Sequence, residues 1–426
     1  MAFLTGIAEL FKDPGGLWEI LILKVFKFIG SYGWRILFFT VCLKLLLLPL
    51  DLYQRIKMRK NQRITERLQP QLEKLQQQYA GDKQKLAQKQ MELNRKEGFS
   101  YFSSCLPAIV TLVIFFYLFA GLNNISRYKN LKQYVELYDA YTAVELAEKD
   151  VPYDITVDIN NAQEVRHVSY NQLSAEQQEA VAAEDNARAT DLQRALDAMY
   201  DAHIKPKAQQ AAVERYTGTG AYQGNAAKES FLWVSNIWSP DVPWRKAILS
   251  YGQFKNNISG YTSYNKVRKK LKVNVEKTDA NGQTFNSVTF DDMLSKTKYD
   301  NVTALLRSDK KQNKANGFLI LPILSVALSF LSQFISARLQ KRSGQAAPQG
   351  GMAGSMKMMM VIMPVMMGIF ALTYTAMFTL YIVVNSGTTI LINVLTTLAM
   401  EGGSKHKVKK QTTGIQKYGR PDPKDL

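Results

Sequence analysis

The sequence predicts an all-α polytopic membrane protein, in which five transmembrane helices surround a hydrophilic groove. A cytoplasmic helical hairpin and an inserted extracellular α+β domain complete the predicted fold. The first observation behind it is the length of the uncharged runs. Residues 98–126 and 315–337 carry no charge, and each run exceeds the roughly 18 residues that indicate a transmembrane helix. The 43 uncharged residues of 358–400 suffice for two further spans.

The second observation is the uneven placement of the net charge of +18. Residues 123–316 contain 26 basic and 24 acidic side chains, whereas the rest of the chain contains 28 and 12. Basic segments next to membrane spans stay in the cytoplasm, so the near-neutral region should lie outside. This arrangement requires an external N-terminus and a cytoplasmic C-terminus. Nucleic acid is the other usual partner of a basic chain, but here the basic residues follow the membrane edges.

The predicted segments follow from these two patterns. In chain order they are an amphipathic outer-surface helix (1–33), the first span (34–50), the cytoplasmic helical hairpin (51–99), the second span (100–122), the extracellular domain (123–316), the third span (317–337), a cytoplasmic loop (338–356), the fourth span (357–374), the fifth span (375–400) and a basic cytoplasmic tail (401–426).

The first segment contains a short apolar stretch, Leu17–Ile29, after a Pro-Gly-Gly break. Glu19, Lys24 and Lys27 interrupt this stretch, which makes a sixth span the weaker interpretation. We therefore expect an amphipathic helix that lies on the outer leaflet.

The first span carries a lone cation, Lys44, inside the apolar run 38–50. A lysine at the centre of a membrane helix costs about 2.5–3.5 kcal/mol, so its ammonium should face a water-filled cavity or a partner. The alternative is that Lys44 extends toward the end of the span, which Pro49 and Asp51 mark.

The charged segment that follows predicts two helices, because leucines recur at helical spacing on both sides of Gly81-Asp82. Pro70 should kink the first helix or start its second half. The basic face of this hairpin suits solvent, anionic lipid headgroups or ribosomal RNA, and the negative surface potential of the membrane favours lipid. The candidate contact residues of the hairpin are Gln69, Pro70, Tyr79, Asp82 and Lys83.

The extracellular domain should contain two β-hairpins. One joins 155–159 to 165–170 around Asn160-Asn161, and the other joins 272–278 to 284–290 around Asn281-Gly282. Between them, Ser174 and Gln177 have the spacing of a capping box, which predicts a helix start. His167 and His203 lack metal-ligand spacing and a nucleophile, so we interpret both as structural.

Polar side chains recur on the membrane spans. Ser325, Ser329, Ser332 and Ser336 are spaced four, three and four residues apart, which places them on one helix face with Gln333 beside them. Close helix packing alone could explain any one of these serines. Together with polar residues on other spans, the stripe indicates a shared wet cavity. The candidate groove residues are Lys44, Thr40, Thr111, Ser325, Ser329, Ser332, Gln333, Thr379 and Asn385.

The fourth span is rich in methionine, whose flexible side chain suits a surface that accepts many apolar sequences. Lipid-facing or core packing is the alternative interpretation. The candidate hydrophobic slide consists of Met359, Met363, Met366 and Met367.

Several short motifs then follow one another at characteristic spacing. They are LLLLPL (45–50), Leu68-Gln69-Pro70, Leu75-Gln76, Tyr79, Asp82-Lys83, Met91, Leu93, Cys105-Leu106-Pro107, SFLWVSNIWSPD (230–241), Met363-Pro364 and Leu380-Tyr381. In order and spacing they resemble the YidC family, the membrane-protein insertases of bacteria. The resemblance covers about 12–122, 230–244 and 317–400.

The resemblance gives Lys44 a counterpart, since the family carries one positive residue, usually Arg, five positions before the proline that closes the first span. Lysine keeps the charge but loses the planar fork that binds carboxylates bidentately. The region between the second and third spans is much longer than the resemblance implies.

The function implied by the resemblance is membrane-protein insertion at a bacterial plasma membrane, without enzymatic activity. The groove would move the polar flank of a nascent membrane protein and release its apolar segment into lipid. The implied partners are nascent membrane proteins, the ribosome, the Sec translocon and anionic lipid, with no DNA and no small-molecule substrate. No GxxxxGK[ST] motif occurs, so we expect no ATPase activity, and we expect no cofactor or metal.

Two other function classes stay open. A small-ion or solute channel could use the same Lys44 cavity. A receptor or assembly factor could act through the extracellular domain and use the membrane part as an anchor.

Overall fold

The computed structural model describes residues 15–96, 101–159, 162–262, 264–265, 277–278, 284–285, 290–342 and 351–417. It is mostly helical. The helices are α1 Leu17–Leu23, α2 Tyr32–Gln78, α3 Lys83–Lys96, α4 Tyr101–Lys149, α5 Tyr170–Ala182, α6 Asn186–Met199, α7 Lys205–Thr217, α8 Tyr251–Ser259, α9 Phe290–Met293, α10 Lys296–Ser308, α11 Ile320–Arg342, α12 Gly351–Thr373 and α13 Ala376–Lys417. The strands are β1 Pro152–Ile159, β2 Ala162–Ser169, β3 Lys277–Thr278 and β4 Thr284–Phe285.

The chain divides into two compact units. The domain unit comprises Met1–Gly33, Ala120–Leu319 and Tyr374–Met377, and the helical unit comprises Trp34–Phe119, Ile320–Thr373 and Phe378–Leu426. Among the described elements, α2, α4 and α13 contribute residues to both units.

Three helices in the described ranges are long and apolar enough to cross a membrane. These stretches are Tyr32–Tyr53 of α2, Ile109–Lys149 of α4 and Ala376–Thr396 of α13. Shorter apolar stretches occupy Ile320–Ser336 of α11 and Pro364–Thr373 of α12. The structure therefore agrees with an all-α membrane protein, and the number of spans stays a prediction.

The larger core of the domain unit is built around the second half of α4. Tyr128, Tyr134, Tyr138 and Tyr141 are buried there against α7, α8 and α10. Tyr134 donates a hydrogen bond to the Met293 carbonyl at 2.7 Å, which satisfies its hydroxyl inside the core.

A second, separate core, which we call the smaller core, forms where β1 and the helices α5 and α6 pack together. Val157, Leu173 and Leu192 are fully buried in it. The predicted hairpin is confirmed, because β1 and β2 pair antiparallel with Ile159 opposite Ala162. Its turn at 160–161 lies outside the described residues. The second predicted hairpin is described only where 277–278 pairs with 284–285.

The predicted helix start at Ser174 is wrong. The capping box is formed by Ser169 and Gln172, and α5 begins at Tyr170, so Ser174 lies inside the helix. Both pairs have the same spacing, but β2 ends at Ser169, and its hydroxyl is the one that can accept from the first turn.

The amphipathic segment is also shorter than expected as an α-helix. After α1 the chain continues as a 3₁₀ turn, Val25–Phe28, with Lys24 between the two elements. Ile22 and Leu23 are buried, whereas Val25 and Phe28 are 52% and 75% exposed.

Candidate functional site

Lys44 has an acidic partner on its own helix. Its Nζ atom lies 3.8 Å from Asp51 Oδ2, and the two side chains are 14% and 22% exposed. Because Asp51 follows Lys44 by seven residues, the lysine side chain extends along α2 toward its C-terminal part. This is the direction expected from the alternative in which Lys44 extends toward the end of the span. The charge is nevertheless paired and mostly buried.

Two of the predicted groove threonines satisfy their hydroxyl groups within the helical unit. Thr40 is fully buried and donates to the Ile36 carbonyl at 2.6 Å, one turn earlier in α2. Thr379 is also fully buried and donates to the Ala371 carbonyl of α12 at 3.3 Å. Neither hydroxyl is exposed in this arrangement.

The serine face of α11 lies against α13. Ser329 Oγ is within 3.4 Å of Ser386 Oγ, and the Asn393 amide donates to Ser336 Oγ at 2.8 Å. From the first contact to the second, the chain advances seven residues along α11, from Ser329 to Ser336. It also advances seven residues along α13, from Ser386 to Asn393. The two helices therefore run parallel, with polar groups at two successive contact points.

The other members of the serine face are held by their own helix. Ser325 is fully buried and donates to the Pro322 carbonyl at 2.8 Å. The Ser332 carbonyl accepts a hydrogen bond from Ser336 Oγ at 2.7 Å. These contacts indicate that helix packing explains more of the serine positions than we expected from the sequence.

Three predicted groove residues keep partly open positions. Thr111 on α4, Gln333 on α11 and Asn385 on α13 are all half-buried. Asn385 also uses its backbone carbonyl, which accepts from Thr389 Oγ1 at 2.7 Å.

Helix α12 packs closely on α11, since a Cβ on Gly368 would lie 2.8 Å from Val326 Cγ2. Apolar side chains are exposed at other positions of α12, and together we call them its apolar surface. Met366 is 41% exposed and Met367 is half-buried, while the side chains of Met359 and Met363 lie outside the described part of the structure. Exposed neighbours on this apolar surface of α12 are Val361, Ile362, Val365, Ile369 and Leu372.

Aromatic packing joins α4 to the other helices of the unit. The Phe119 ring lies edge-on to Phe378 of α13, with centroids 4.8 Å apart, and 6.0 Å from Phe370 of α12. Phe115 also approaches Phe378, at 6.1 Å. Such contacts fix the approach of α4 to α12 and α13.

Of the candidate hairpin residues, Tyr79, Asp82 and Lys83 lie where α2 ends and α3 begins, and Gln69 and Pro70 lie inside α2. Asp82 caps α3, because its carboxylate accepts from the Lys85 N–H at 3.0 Å, and the Asp82 N–H donates to the Tyr79 carbonyl at 3.1 Å. The predicted tight junction is thereby confirmed. Helix α2 continues through Pro70, which is exposed. The side chains of Gln69 and Lys83 lie outside the described residues.

Sequence reasoning missed the polar partners Asp51, Ser386 and Asn393 as site residues. Asp51 carried a signal, since i to i+7 returns to the same helix face. Ser386 and Asn393 have that same seven-residue spacing in an apolar helix, which could have identified them. Within the described ranges, His, Cys, Asp and Glu side chains form no group of three or more that could hold a metal ion.

The sequence model of the 60Kd inner membrane protein family matches residues 24–181 and 221–403. A protein of Fusobacterium nucleatum named membrane protein insertase YidC is 42% identical over 98 residues, which are 23% of this chain and 46% of the relative. The protein of that name from Clostridium tetani is 39% identical over 99 residues, 22% of this chain and 43% of the relative.

The Helicobacter pylori protein of the same name is 29% identical over 120 residues, 28% of this chain and 21% of the relative. The chain thus spans less than half the length of these relatives. No solved structure matches it.

Proposed function

The chain belongs to the 60Kd inner membrane protein family, and on that basis we propose that it inserts nascent proteins into a bacterial plasma membrane. Its relatives carry the name membrane protein insertase YidC. In this proposal a hydrophilic groove receives the polar flank of a substrate, and the apolar segment of that substrate passes into lipid. The protein is a foldase without enzymatic activity.

The observation that carries the proposal is the paired, mostly buried charge of Lys44 on an apolar span. An ion pair of this kind can exchange partners, because a carboxylate of the substrate can take the place of Asp51 without leaving the ammonium unpaired. The ammonium of Lys44 is therefore the charge partner that the groove offers to the acidic flank of a substrate.

The polar side chains of the groove would serve the backbone of the substrate. A backbone group without a hydrogen-bond partner costs several kcal/mol in the hydrocarbon region. Thr111, Gln333 and Asn385 are half-buried and suit this role, while Ser329, Ser332 and the buried Ser325, Thr40 and Thr379 keep the adjoining helix contacts polar. The apolar surface of α12, with Met359, Met363, Met366 and Met367, would guide the apolar segment into lipid.

The proposed topology has five spans, an external N-terminus and a cytoplasmic C-terminus. The parallel direction of α11 and α13 supports it, since a chain that crosses twice in one direction must return between them, and α12 is the apolar helix available for the return. The placement of the basic segments supports the same orientation.

The cytoplasmic hairpin is proposed to receive the substrate. Its basic surface would contact the ribosome and anionic lipid, through Gln69 and Pro70 of α2 and through Tyr79, Asp82 and Lys83 at the junction. The protein would act alone or with the Sec translocon. The proposal includes no DNA and no small-molecule partner.

The test is complementation in a bacterium depleted of its own insertase, with a short membrane protein that carries an acidic flank as the substrate. We expect the native chain and Lys44→Arg to restore insertion, and Lys44→Ala and Lys44→Glu to reduce it at least tenfold. Lys24→Ala is the matched control, because Lys24 is an exposed lysine beside another apolar helix.

If Lys44→Ala inserts this substrate as well as the native chain, the charge of the groove is not what moves it. If the native chain fails although it is expressed and folded, the insertase proposal itself is wrong. Measured ion conductance of the native chain in lipid vesicles would favour the channel alternative instead.

A further inference from the structure

One loop of the domain unit, residues 230–245, touches the chain beside three apolar helices. We call it the junction loop. The Phe231 ring fills the space beside Gly33, in the first turn of α2. Asp241 accepts from the Phe318 N–H at 2.8 Å, two residues before α11. The Ala376 and Met377 N–H groups, in the first turn of α13, donate to the Ser239 and Ile237 carbonyls at 2.9 and 3.1 Å.

The junction loop is fixed by buried amides. Asn316 is fully buried, and its side-chain NH₂ lies within hydrogen-bond distance of the carbonyls of Asn236, Ser239 and Pro240 at 2.9, 3.2 and 2.8 Å. Its carbonyl oxygen accepts from the Asn236 N–H at 2.7 Å. The loop is therefore held against the points where the chain leaves the domain unit toward apolar helices.

Large apolar side chains are exposed at this same end of the unit. Leu232, Trp244 and Phe318 are 67%, 63% and 64% exposed. Leu232 sits in a tight turn between Phe231 and Val234, with a φ of +53°, a left-handed conformation that residues with a Cβ disfavour. The backbone thus holds an apolar side chain outward at a conformational cost.

Lysines cluster next to these apolar side chains. The pKa of Lys228 is lowered by burial and then by the nearby charges of Lys314 and Lys311. Lys246 pairs with Ala315 in a β-bridge and so lies beside Lys314. Among the described residues, no carboxylate lies within ion-pair distance of Lys228, Lys246, Lys311 or Lys314. Asp309 is near in sequence, and it accepts from the Lys311 N–H.

We propose that this basic–aromatic rim, formed by Lys228, Trp244, Lys246, Lys311, Lys314 and Phe318, binds the headgroups of anionic phospholipids at the membrane surface. The aromatic rings would sit at the headgroup level and the ammonium groups would contact the lipid phosphates. A polyanion such as RNA would also attract the lysines, but it would leave the exposed Leu232 and Phe318 in water. Because Phe318 lies two residues before the apolar helix α11 in the chain, lipid is the favoured partner.

The proposal does not depend on insertase activity, and it is tested on the full chain by photo-crosslinking. Trp244→p-benzoylphenylalanine is reconstituted in vesicles of phosphatidylcholine with or without phosphatidylglycerol. We expect crosslinks to phosphatidylglycerol at least tenfold above those to phosphatidylcholine. Because each lysine near an anionic surface contributes about fivefold, Lys228→Gln/Lys311→Gln/Lys314→Gln should remove this preference. A salt concentration of about 1 M should weaken it.

Two matched controls belong to the design. The variant Lys205→Gln/Lys255→Gln/Lys296→Gln removes three lysines from other surfaces of the unit and should keep the preference. The second control is the probe Val181→p-benzoylphenylalanine. Val181 is 54% exposed and lies on α5, a helix of the smaller core, so this probe should give no lipid crosslink. Equal yields from the two lipids, equal lipid yields from Val181, or crosslinks to nucleic acid or protein alone would overturn the proposal.

Discussion

Asp51 Oδ2 lies 3.8 Å from Lys44 Nζ, two turns further along α2. The pair explains how an ammonium is kept on an apolar span, and it places a carboxylate where an acidic substrate would compete. Removing Asp51 should therefore change substrate binding, whereas removing Lys44 should also lower the stability of the fold.

We expect Asp51→Asn to increase the binding of substrates with acidic flanks at least twofold, because it removes the carboxylate that competes for Lys44. Site-directed crosslinking between the substrate flank and Thr111→Cys, at a half-buried groove position, would measure this. A substrate whose acidic residues are changed to Asn is the control and should show no gain. An equal gain for both substrates would refute the competition.

Loss of Lys44 should also lower stability, because it leaves Asp51 without its ion-pair partner. We expect Lys44→Ala to reduce the free energy of unfolding by about 1–3 kcal/mol, between the values for exposed and buried pairs. The double variant Lys44→Ala/Asp51→Ala should recover most of this loss. Denaturation in mixed detergent micelles would measure it, and additive losses would show that the two charges are uncoupled.

The contact between Ser336 and Asn393 should stabilise the packing of α11 on α13. A double-mutant cycle with Ser336→Ala and Asn393→Ala should give a coupling of about 0.6 kcal/mol and at most about 1.7 kcal/mol, as for hydrogen bonds between membrane helices. Thr388→Ala is the control, because its hydroxyl donates to the Val384 carbonyl of its own helix. Zero coupling would mean that the 2.8 Å contact contributes nothing.

The smaller core of the domain unit should be removable. Glu148 and Lys207 form an ion pair at 2.8 Å, so the chain leaves and returns at neighbouring points. Replacing 150–199 with about eight Gly/Ser residues, which span roughly 15 Å, should leave the rest folded and insertion unchanged. Complementation and thermal unfolding would check this. Lost insertion with an intact fold would favour the receptor or assembly-factor alternative.

The ion pair between Glu176 and Arg166 predicts a pH dependence. Two hydrogen bonds from Arg166, at 2.7 and 2.9 Å, hold the pKa of Glu176 below its usual range. A pKa that is lower in the folded state stabilises the fold above the unfolded value of about 4.3, and this contribution is lost as the pH falls through the folded value.

Hydrogen exchange of α5, corrected for intrinsic rates, should therefore show lower protection at pH 3 than at pH 6. The expected loss is about 0.5–1 kcal/mol. Glu176→Gln should abolish this difference, whereas Glu179→Gln, an exposed residue on the same helix, should keep it. A native pH profile that matches that of Glu176→Gln would contradict the prediction.

The buried amide of Asn316 should be essential to the junction loop. Asn316→Ala removes the donor of two or three hydrogen bonds and should cost about 1–3 kcal/mol of unfolding free energy. Asn256→Ala, at an exposed asparagine of α8, should change it by less than about 0.5 kcal/mol. Equal effects of the two changes would show that the amide network adds no stability.

The sequence by itself determined what depends on neighbours along the chain. Apolar runs predicted the membrane-type helices, Gly81-Asp82 predicted the junction between α2 and α3, and Asn160-Asn161 predicted the pairing of β1 with β2. Each of these features follows from side-chain periodicity or from a local backbone preference, so a short window of sequence contains it.

Only the tertiary structure decided which distant groups meet. Ser336 and Asn393 are 57 residues apart in the chain, and their contact depends on how α11 and α13 pack. The choice of Ser169 over Ser174 as a helix cap depended on where β2 ends. The junction loop likewise gathers segments around 33, 318 and 376, because its buried amides need partners that no local segment supplies.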